Sequence, residues 1–575
     1  MSPIYFLLIL ALASAGVAFT CRFFQGYAQL FGAYHDDAIY TICAQALASG
    51  HGYRIISLPM EPLQTKYPPL FPLFLSLAFR LNPSFPANIA LLELISCLAG
   101  LAFLFTGGYL LIKTRRATPL MALSVVAATW LNLDFLSFLP VPMADLSFAA
   151  LSAVCIWLCE KAAREKQLPA TRTPQPALKR YLMVGALLSA AGLTHAMGFS
   201  LLAACLIYLL LARRIQGFTI VLVVCSLVLG PYWLWANAHA YRSPPVMAYY
   251  TNYFLAMSQT TSEVGGPFYF VFRNLPSSFT ESLDSVFQIL KSLNLPGEPP
   301  ALPETLLYGS LWGLLLAGVG HELARKPERR LLAIWLLALA LTHLSMPGSV
   351  GRRHLLTVLP FVYYFFLRGL RGLGWYLKRH FVASKRRWQM SPRHYSRLSA
   401  AAVLITVAAL MAGNLREDQL WAGQYRFPVP RPTNASMNYS ESSEFAEAYD
   451  WIRSHTPYDA VLIWNNDPNA YLWTGRKAMM SCLGAYWKVY SNPPEAITSD
   501  DLITSIAIGQ GTYLVIDPIS STGLAGFNQL GAAVESLMKD RPGLLRPVFT
   551  SRFGLITIFK INLAPENLGK AFEHQ

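Results

Sequence analysis

Residues 87–112 read ANIALLELISCLAGLAFLFTGGYLLI, an apolar run whose one charged side chain is Glu93. A helix needs roughly 20 apolar residues to cross a hydrocarbon core about 30 Å thick, so this run predicts a transmembrane helix. The whole composition agrees with that prediction. Of 575 residues, 54% are hydrophobic and 13% are charged, whereas soluble globular proteins carry about 25% charged residues. The sequence therefore predicts an α-helical polytopic membrane protein.

Ten further apolar runs predict the remaining spans, which gives about 11 transmembrane helices in all. They cover residues 4–20, 118–139, 143–159, 181–194, 196–212, 216–236, 305–321, 331–346, 354–370 and 399–413. The runs 181–194 and 196–212 form one apolar stretch that is broken at Thr194-His195. We interpret this stretch as a hairpin through the membrane.

The basic residues lie in short turns between the apolar runs, and their placement predicts orientation. Basic clusters occur at residues 113–116, 160–180, 213–214, 322–330 and 368–397. With eleven spans, all five clusters fall on one face, which is then cytoplasmic together with the N-terminus. The net charge of +15 is thus explained by membrane orientation, and the pattern does not indicate nucleic acid as a partner.

The opposite face, periplasmic or extracellular, receives the loop 22–86. Residues 38–48 predict an amphipathic helix that ends at Gly50-His51-Gly52, and a second short helix is predicted from Pro68-Pro69 to Phe79. Both helices are expected to lie along the membrane surface beneath an external site. The chain up to residue 413 forms the transmembrane module.

The C-terminal part of the sequence has a different character. Residues 414–433 predict a linker, and residues 434–575 predict a soluble α/β domain on the same external face as the first loop. Its elements are an amphipathic helix over 442–455, capped near Ser442 or Ser443, and strands over 460–464, 512–516 and 553–561.

The tripeptide His35-Asp36-Asp37 is the first candidate site. Adjacent carboxylates repel one another unless a cation or a role in proton transfer holds them together, and a carboxylate at a membrane interface can deprotonate an acceptor hydroxyl. The alternative is a structural role, in which Asp37 caps the helix that starts at Ala38.

Other candidate residues lie far apart in the sequence. Lys66 precedes two prolines and can present a point charge to a phosphate, or it can extend to the membrane interface. Arg352 and Arg353 stand at the external end of a span, against the positive-inside pattern, and suit an anionic phosphate or lipid headgroups. Asp145, at a span start, and His195, at the hairpin break, are secondary cavity candidates.

The order of these features resembles the GT-C superfamily of membrane glycosyltransferases, in particular bacterial relatives of the dolichyl-phosphate-mannose protein mannosyltransferases and of the lipid A aminoarabinose transferases. The segment HDDAIYTICAQALASGHGYR at 35–54 resembles the first external loop of the family. TKYPPLFPLFLSL at 65–77 resembles its Lys-Pro-Pro-Leu segment with Tyr67 inserted, and GRRHLLTVLPFVYYF at 351–365 its late Arg-aromatic-Leu segment with His354 in place of tyrosine. HTPYDAVLIWNNDPNAYLWTGRKAM at 455–479 resembles the start of the external C-terminal domain.

The resemblance implies a mechanism. An inverting hexosyl- or pentosyltransferase would move a sugar from a polyprenyl-phosphate donor to a hydroxyl of a lipid, protein or glycan acceptor, in a bacterial inner membrane. Asp36 would be the base, and Asp37 would orient the site or, with Asp36, hold a divalent cation such as Mg²⁺ or Mn²⁺. Lys66 and Arg352 or Arg353 would hold the lipid phosphate, with His35, Asp145 and His195 nearby.

Two rival functions belong to other classes. A transporter or flippase of lipid-linked intermediates would carry mid-span charges and inverted repeats, and the sequence has few such charges and no evident repeat. A non-catalytic protein that recruits a partner through its C-terminal domain is the second rival.

Overall fold

The computed structural model describes most of the chain. The described residues are 35–164, 175–240, 247–252, 302–324, 327–345, 352–377, 439–483, 495–517 and 530–562, with a few single positions between them. The predicted spans 4–20 and 399–413 and the predicted linker 414–433 lie outside these residues. So do the domain boundaries predicted at residues 413 and 434, which stay predictions.

Helices dominate the part of the chain before residue 378. They are α1 (Asp36–Ala48), α2 (Leu70–Leu81), α3 (Ile89–Lys113), α4 (Pro119–Trp130), α5 (Leu133–Phe138), α6 (Ala144–Arg164), α7 (Gln175–Thr194), α8 (Gly198–Leu211), α9 (Ile215–Ala240), α10 (Ala248–Thr251), α11 (Leu302–Leu323), α12 (Leu331–Leu344), α13 (Arg352–Leu356) and α14 (Leu359–Leu377). Among the described residues, α3, α6 and α9 are long and apolar enough to cross a membrane.

Most predicted spans correspond to a helix, and the predicted break at Thr194-His195 is confirmed because α7 ends at Thr194 and α8 begins at Gly198. That this pair of helices is a hairpin through the membrane stays a prediction. Two predictions need correction. The run 118–139 is two helices, α4 and α5, because the Asn132 side chain accepts a hydrogen bond from the Phe135 amide at 3.1 Å and starts a new helix. The run 354–370 is likewise divided, since α13 ends at Leu356 and α14 begins at Leu359.

Helices α11 and α14 approach each other so closely that only glycine fits between them. A Cβ atom on Gly318 would lie 1.9 Å from the Phe365 carbonyl oxygen, and one on Gly369 would lie 1.8 Å from the Leu314 carbonyl oxygen. Small residues of this kind allow helix backbones to pack directly in membranes.

The basic turn after α3 contains a buried ionic cluster. The Arg116 guanidinium donates to both carboxylate oxygens of Glu160 at 2.6 and 2.7 Å and to Glu322 at 2.8 Å, and all three side chains are inaccessible to solvent. The sequence placed Arg116 in a short basic turn on the cytoplasmic face and gave no partner for it. In the structure, its charge is neutralised internally, where it ties this turn to α6 and α11.

The first loop differs from its predicted arrangement. Helix α1 begins at Asp36, so Asp37 lies within its first turn and does not cap it. The residues of α1 from Asp37 to Ala44 are all buried within the protein, and its placement along the membrane surface stays a prediction. Tyr40 packs on Phe71 of α2 with ring centroids 5.5 Å apart. Helix α2, by contrast, exposes apolar side chains such as Leu77.

The C-terminal part is an α/β unit, as predicted. Its elements are α15 (Tyr439–His455), β1 (Val461–Ile463), α16 (Asp467–Thr474), β2 (Lys477–Met479), α17 (Ser499–Gly509), β3 (Tyr513–Ile516), α18 (Leu530–Asp540), β4 (Leu545–Thr550) and β5 (Thr557–Ile561). The first helix starts before the predicted cap at Ser442 or Ser443. The sheet order is β2-β1-β3-β5-β4. Strand β1 is parallel to β2 and β3, whereas β5 is antiparallel to β3 and β4.

The α/β unit packs directly against the first loop. The Ala478 amide, in the edge strand β2, donates to the Ser57 carbonyl at 2.9 Å. The Lys477 ammonium forms an ion pair with Glu61 at 2.8 Å, and Phe85 meets Trp473 edge to face with centroids 5.3 Å apart. These contacts place the amino end of α16 beside the start of α1.

Candidate active site

The Asp36 carboxylate is at the centre of a polar cluster at the start of α1. Its Oδ2 atom accepts a hydrogen bond from the Arg353 guanidinium at 2.7 Å, and its Oδ1 atom accepts one from the Tyr67 hydroxyl at 2.5 Å. The side chains of Asp36 and Arg353 are 18% and 23% exposed, so a ligand can reach both. The structure thus joins the first loop to α13 through Asp36 and Arg353, whereas the sequence left open which of Arg352 and Arg353 would lie at the site.

The charge of Asp36 is strongly favoured in this setting. Burial alone would raise the pKa of Asp36, but the positive charges of Arg353 and Lys66, with the Tyr67 hydrogen bond, lower it to about 2. Asp36 is therefore ionised at any physiological pH.

Lys66 interacts electrostatically with the same carboxylate and contacts Tyr249 directly. Its ammonium donates to the Tyr249 carbonyl at 2.9 Å and lies 4.4 Å from the centroid of the Tyr249 ring. Burial lowers the pKa of Lys66 to about 8, with Asp36 opposing this effect and Arg353 adding to it. In its protonated form, Lys66 interacts electrostatically with Asp36 and Arg353 and can present a point charge to an anion in this cluster.

Three other residues that the sequence predicted for the site do not contact Asp36 through a described hydrogen bond. Asp37 is fully buried on the first turn of α1. Arg352 begins α13, but its side chain lies outside the described part of the structure. His35 precedes α1, and its Nε2 atom is 2.9 Å from Oδ1 of Asp467.

Asp145 and His195 form a second pair near Arg353. Asp145 lies in the first turn of α6, is 1% exposed, and its Oδ1 atom is 3.8 Å from Nε2 of His195. The His195 ring stacks on Phe148, one helical turn after Asp145, and its Nδ1 atom accepts from the Met197 amide at 3.0 Å. Asp145 acts electrostatically on Arg353, so the pair belongs to the same polar region.

Four residues that contact Asp36, Lys66 or His35, or that hold such a residue in place, were not identified from the sequence. They are Tyr67, Tyr249, Tyr250 and Asp467. Tyr67 was noted only as an insertion before the prolines, yet it contacts Asp36 directly. Tyr249 and Tyr250 occur in MAYYTNYF, an aromatic-rich segment that offered a weak signal. Asp467 lies in the segment 455–479, and nothing in its local sequence indicates that it reaches His35.

A metal site was expected at Asp36 and Asp37. Within the described ranges, no group of three or more His, Cys, Asp or Glu side chains is arranged to hold a metal ion. The divalent cation stays a prediction, and no chemical step below depends on it.

The described helices and the small C-terminal sheet form a fold that is similar to two solved proteins, as the sequence resemblance to the GT-C superfamily implied. The chain aligns with ArnT from Cupriavidus metallidurans bound to undecaprenyl phosphate, with a TM-score of 0.53, 14% identity, and coverage of 97% of this chain and 98% of that one.

It also aligns with the oligosaccharyltransferase of Archaeoglobus fulgidus in its apo form. There the TM-score is 0.56, with 13% identity and coverage of 97% of this chain and 74% of the other. A further structure of that enzyme, AglB with an inhibitory peptide and a dolichol-phosphate, gives a TM-score of 0.54 at 12% identity, with coverage of 96% and 74%. At these identities the likeness establishes the fold.

No protein-family model matches the sequence, and no curated protein sequence matches it.

Proposed function

We propose that this chain is an inverting glycosyltransferase that moves a sugar from a polyprenyl-phosphate donor to an acceptor hydroxyl at the external face of the membrane. The observation that carries the proposal is the position of Asp36, at the start of α1, where Arg353 donates to it and Lys66 acts on its charge. One ionised carboxylate beside two cations suits a reaction that removes a proton and releases a phosphate.

The reaction balances with these groups alone. The acceptor hydroxyl gives its proton to Asp36, and its oxygen attacks the anomeric carbon of the donor sugar. The bond between that carbon and the phosphate oxygen breaks, and its electron pair stays on the phosphate. Arg353 and Lys66 stabilise this developing charge, which is usually the largest single contribution to catalysis. Attack opposite the leaving group inverts the anomeric centre.

The low pKa of Asp36 restrains its basicity until a donor is bound. A guanidinium has five N–H donors, so Arg353 can hold a phosphate while it still contacts Asp36. Because a nearby negative charge raises the pKa of a carboxyl group, the donor phosphate would oppose the effect of Arg353. We infer that donor binding strengthens the base at the moment when it is needed.

The neighbouring structures support the choice of donor. ArnT is bound to undecaprenyl phosphate and AglB to a dolichol-phosphate, and both share the fold of this chain. By analogy, a polyprenyl phosphate is the carrier here, and a lipid, protein or glycan hydroxyl is the acceptor. A bacterial inner membrane, with the N-terminus cytoplasmic and the α/β unit periplasmic, is the proposed setting.

The test is the Asp36→Asn variant. It keeps the shape of the side chain but removes the base, so transfer should be abolished while membrane insertion persists. Mass spectrometry of envelope glycolipids and glycoproteins in a strain lacking the protein would reveal the missing product, and complementation with each variant would measure its recovery. The exposed Asp459→Asn variant is the matched control. Full recovery by Asp36→Asn would refute the base assignment, and transport of a lipid-linked sugar without cleavage of the sugar–phosphate bond would favour a flippase.

A further inference from the structure

The Asp467 carboxylate is completely buried at the junction between the α/β unit and the first loop. It is the first residue of α16, three residues after the buried Trp464. A buried charge is unfavourable unless it is paired and hydrogen-bonded. Its partners therefore show what the charge does in the fold.

Both oxygens of Asp467 have a partner from the part of the chain before residue 253. Oδ1 is 2.9 Å from Nε2 of His35, and Oδ2 accepts from the Tyr250 hydroxyl at 2.9 Å. The Tyr250 hydroxyl in turn accepts from the Met480 amide at 3.2 Å. One carboxylate from the α/β unit thus holds two separate segments of the chain.

Each of these segments is linked to one charged residue of the proposed site. His35 immediately precedes Asp36, and its carbonyl accepts the Ile39 amide in the first turn of α1 at 3.1 Å. Tyr250 follows Tyr249, whose carbonyl holds the Lys66 ammonium. Asp467 is therefore linked to Asp36 through His35 and to Lys66 through the tyrosine pair.

The backbone at His35 needs such a restraint. Its φ is +60° and its ψ is −47°, a conformation that residues other than glycine rarely adopt and that persists only where the surroundings impose it. Burial favours a neutral imidazole, but the charge and hydrogen bond of Asp467, with Asp36, raise the pKa of His35. The Asp467 carboxylate thus favours a charged imidazole in this strained position.

We propose that Asp467 is a positioning residue, by which the α/β unit fixes the placement of both Asp36 and Lys66. The proposal rests on the function proposed above. In a reaction that depends on near-attack geometry, a displacement of about 1 Å can cost on the order of 100-fold in rate. The α/β unit is then part of the catalytic apparatus and not only a cover over it.

The two links can be separated by substitution. The His35→Gln variant should lower kcat with the affinity for undecaprenyl phosphate unchanged, because it affects only the side of Asp36. The Tyr250→Phe variant should weaken undecaprenyl phosphate binding, because it releases the segment that holds Lys66. The Asp467→Asn variant should do both, and its kcat should fall by about 100-fold.

The same interface supplies a matched control. The Lys477→Met variant removes the ion pair with Glu61, which joins the same two parts of the chain but touches neither Asp36 nor Lys66. Both side chains of this pair are 36% exposed, and such surface pairs contribute little to stability. Its kcat and its affinity for undecaprenyl phosphate should match those of the wild type.

Hydrogen–deuterium exchange of the full-length protein tests the positioning independently of activity. In Asp467→Asn, peptides from 36–48 and 247–252 should exchange about tenfold faster, as expected when a charge-assisted hydrogen bond is lost, whereas Lys477→Met should leave them unchanged. Adding His35→Gln to Asp467→Asn should accelerate exchange in 36–48 little further, because residues that act through one another are not additive.

Three results would overturn the proposal: unchanged exchange in Asp467→Asn, equal acceleration in Lys477→Met, or additive effects of the two substitutions. If the wild-type chain transfers no sugar, the proposed function fails, and the exchange data still decide whether Asp467 holds the two segments.

Discussion

Lys66 gives the proposed donor site a pH dependence that follows from its burial. Its pKa is lowered to about 8, against a usual value of about 10.4, because the ammonium is desolvated beside Arg353 and only partly compensated by Asp36. If a phosphate binds the protonated ammonium, its affinity must fall as the pH rises through this value.

The size of the effect can be calculated from the titration. The protonated fraction of Lys66 is about 90% at pH 7 and about 10% at pH 9 for a pKa of about 8. The dissociation constant of undecaprenyl phosphate should therefore rise by roughly tenfold between these pH values. The sign is fixed, since affinity is highest below pH 8 and is lost above it.

The assay is a titration of the purified protein in nanodiscs with undecaprenyl phosphate across pH 6.5 to about 9.5, with thermal unfolding recorded at each pH. The Lys66→Arg variant is the control, because a guanidinium stays protonated throughout this range. It should bind with little dependence on pH. Constant affinity of the wild type up to pH 9, or an equal loss in Lys66→Arg, would refute the placement of the phosphate at Lys66.

Three further predictions concern single contacts. Tyr67→Phe removes a hydrogen bond that stabilises the Asp36 carboxylate, so the pKa of Asp36 should rise and the acid limb of the kcat/KM profile should move to higher pH; an unmoved limb would contradict this. Arg116→Leu removes the guanidinium that pairs with the buried Glu160 and Glu322, of which Glu160 keeps Arg164 as a partner. It should destabilise the fold by about 3–5 kcal/mol, measured by unfolding in detergent, whereas the exposed Lys161→Gln should be near neutral. Gly318→Ala places a Cβ atom 1.9 Å from the Phe365 carbonyl oxygen and should lower the free energy of unfolding by about 1–3 kcal/mol. The control is Gly320→Ala in the same helix, where a Cβ atom meets nothing within 4 Å. This control should not lower the unfolding temperature.

The sequence was informative about helices because their requirements are local. Bilayer thickness fixes the length of an apolar run, so α3, α6 and α9 were expected close to their observed bounds. The break at Thr194 was visible in the same way. The run 118–139 was misinterpreted because one side chain, Asn132, ends an apolar pattern that hydrophobicity alone would continue.

The burial of α1 shows the limit of such patterns. A short helix with a mixed face is expected to rest on the membrane surface. Here α2 covers one side of it and α16 approaches its start. The α/β unit, more than 400 residues later in the chain, packs there through the contact between His35 and Asp467. The periodicity of residues 38–48 holds no information about this long-range contact.

The candidate site was only partly accessible to the same reasoning. Asp36, Lys66 and Arg353 were named because their residue types and their predicted external location suited a phosphate and a base. The sequence could not distinguish a helix cap from a catalytic carboxylate, since both place an aspartate at a helix start. The structure shows that the Asp36 carboxylate accepts hydrogen bonds from Arg353 and Tyr67, and its catalytic role stays a proposal.

The sequence by itself determined that the chain is a helical membrane protein with a C-terminal α/β unit, because hydrophobic length and periodicity are properties of contiguous residues. Tertiary structure alone decided that Tyr67, Arg353 and Lys66 surround one carboxylate, and that Asp467 from the far end of the chain holds the residue before it. Such contacts join side chains that are distant in sequence. Their distances and burial exist only after the helices have packed, and these quantities set the charge states on which the proposed chemistry depends.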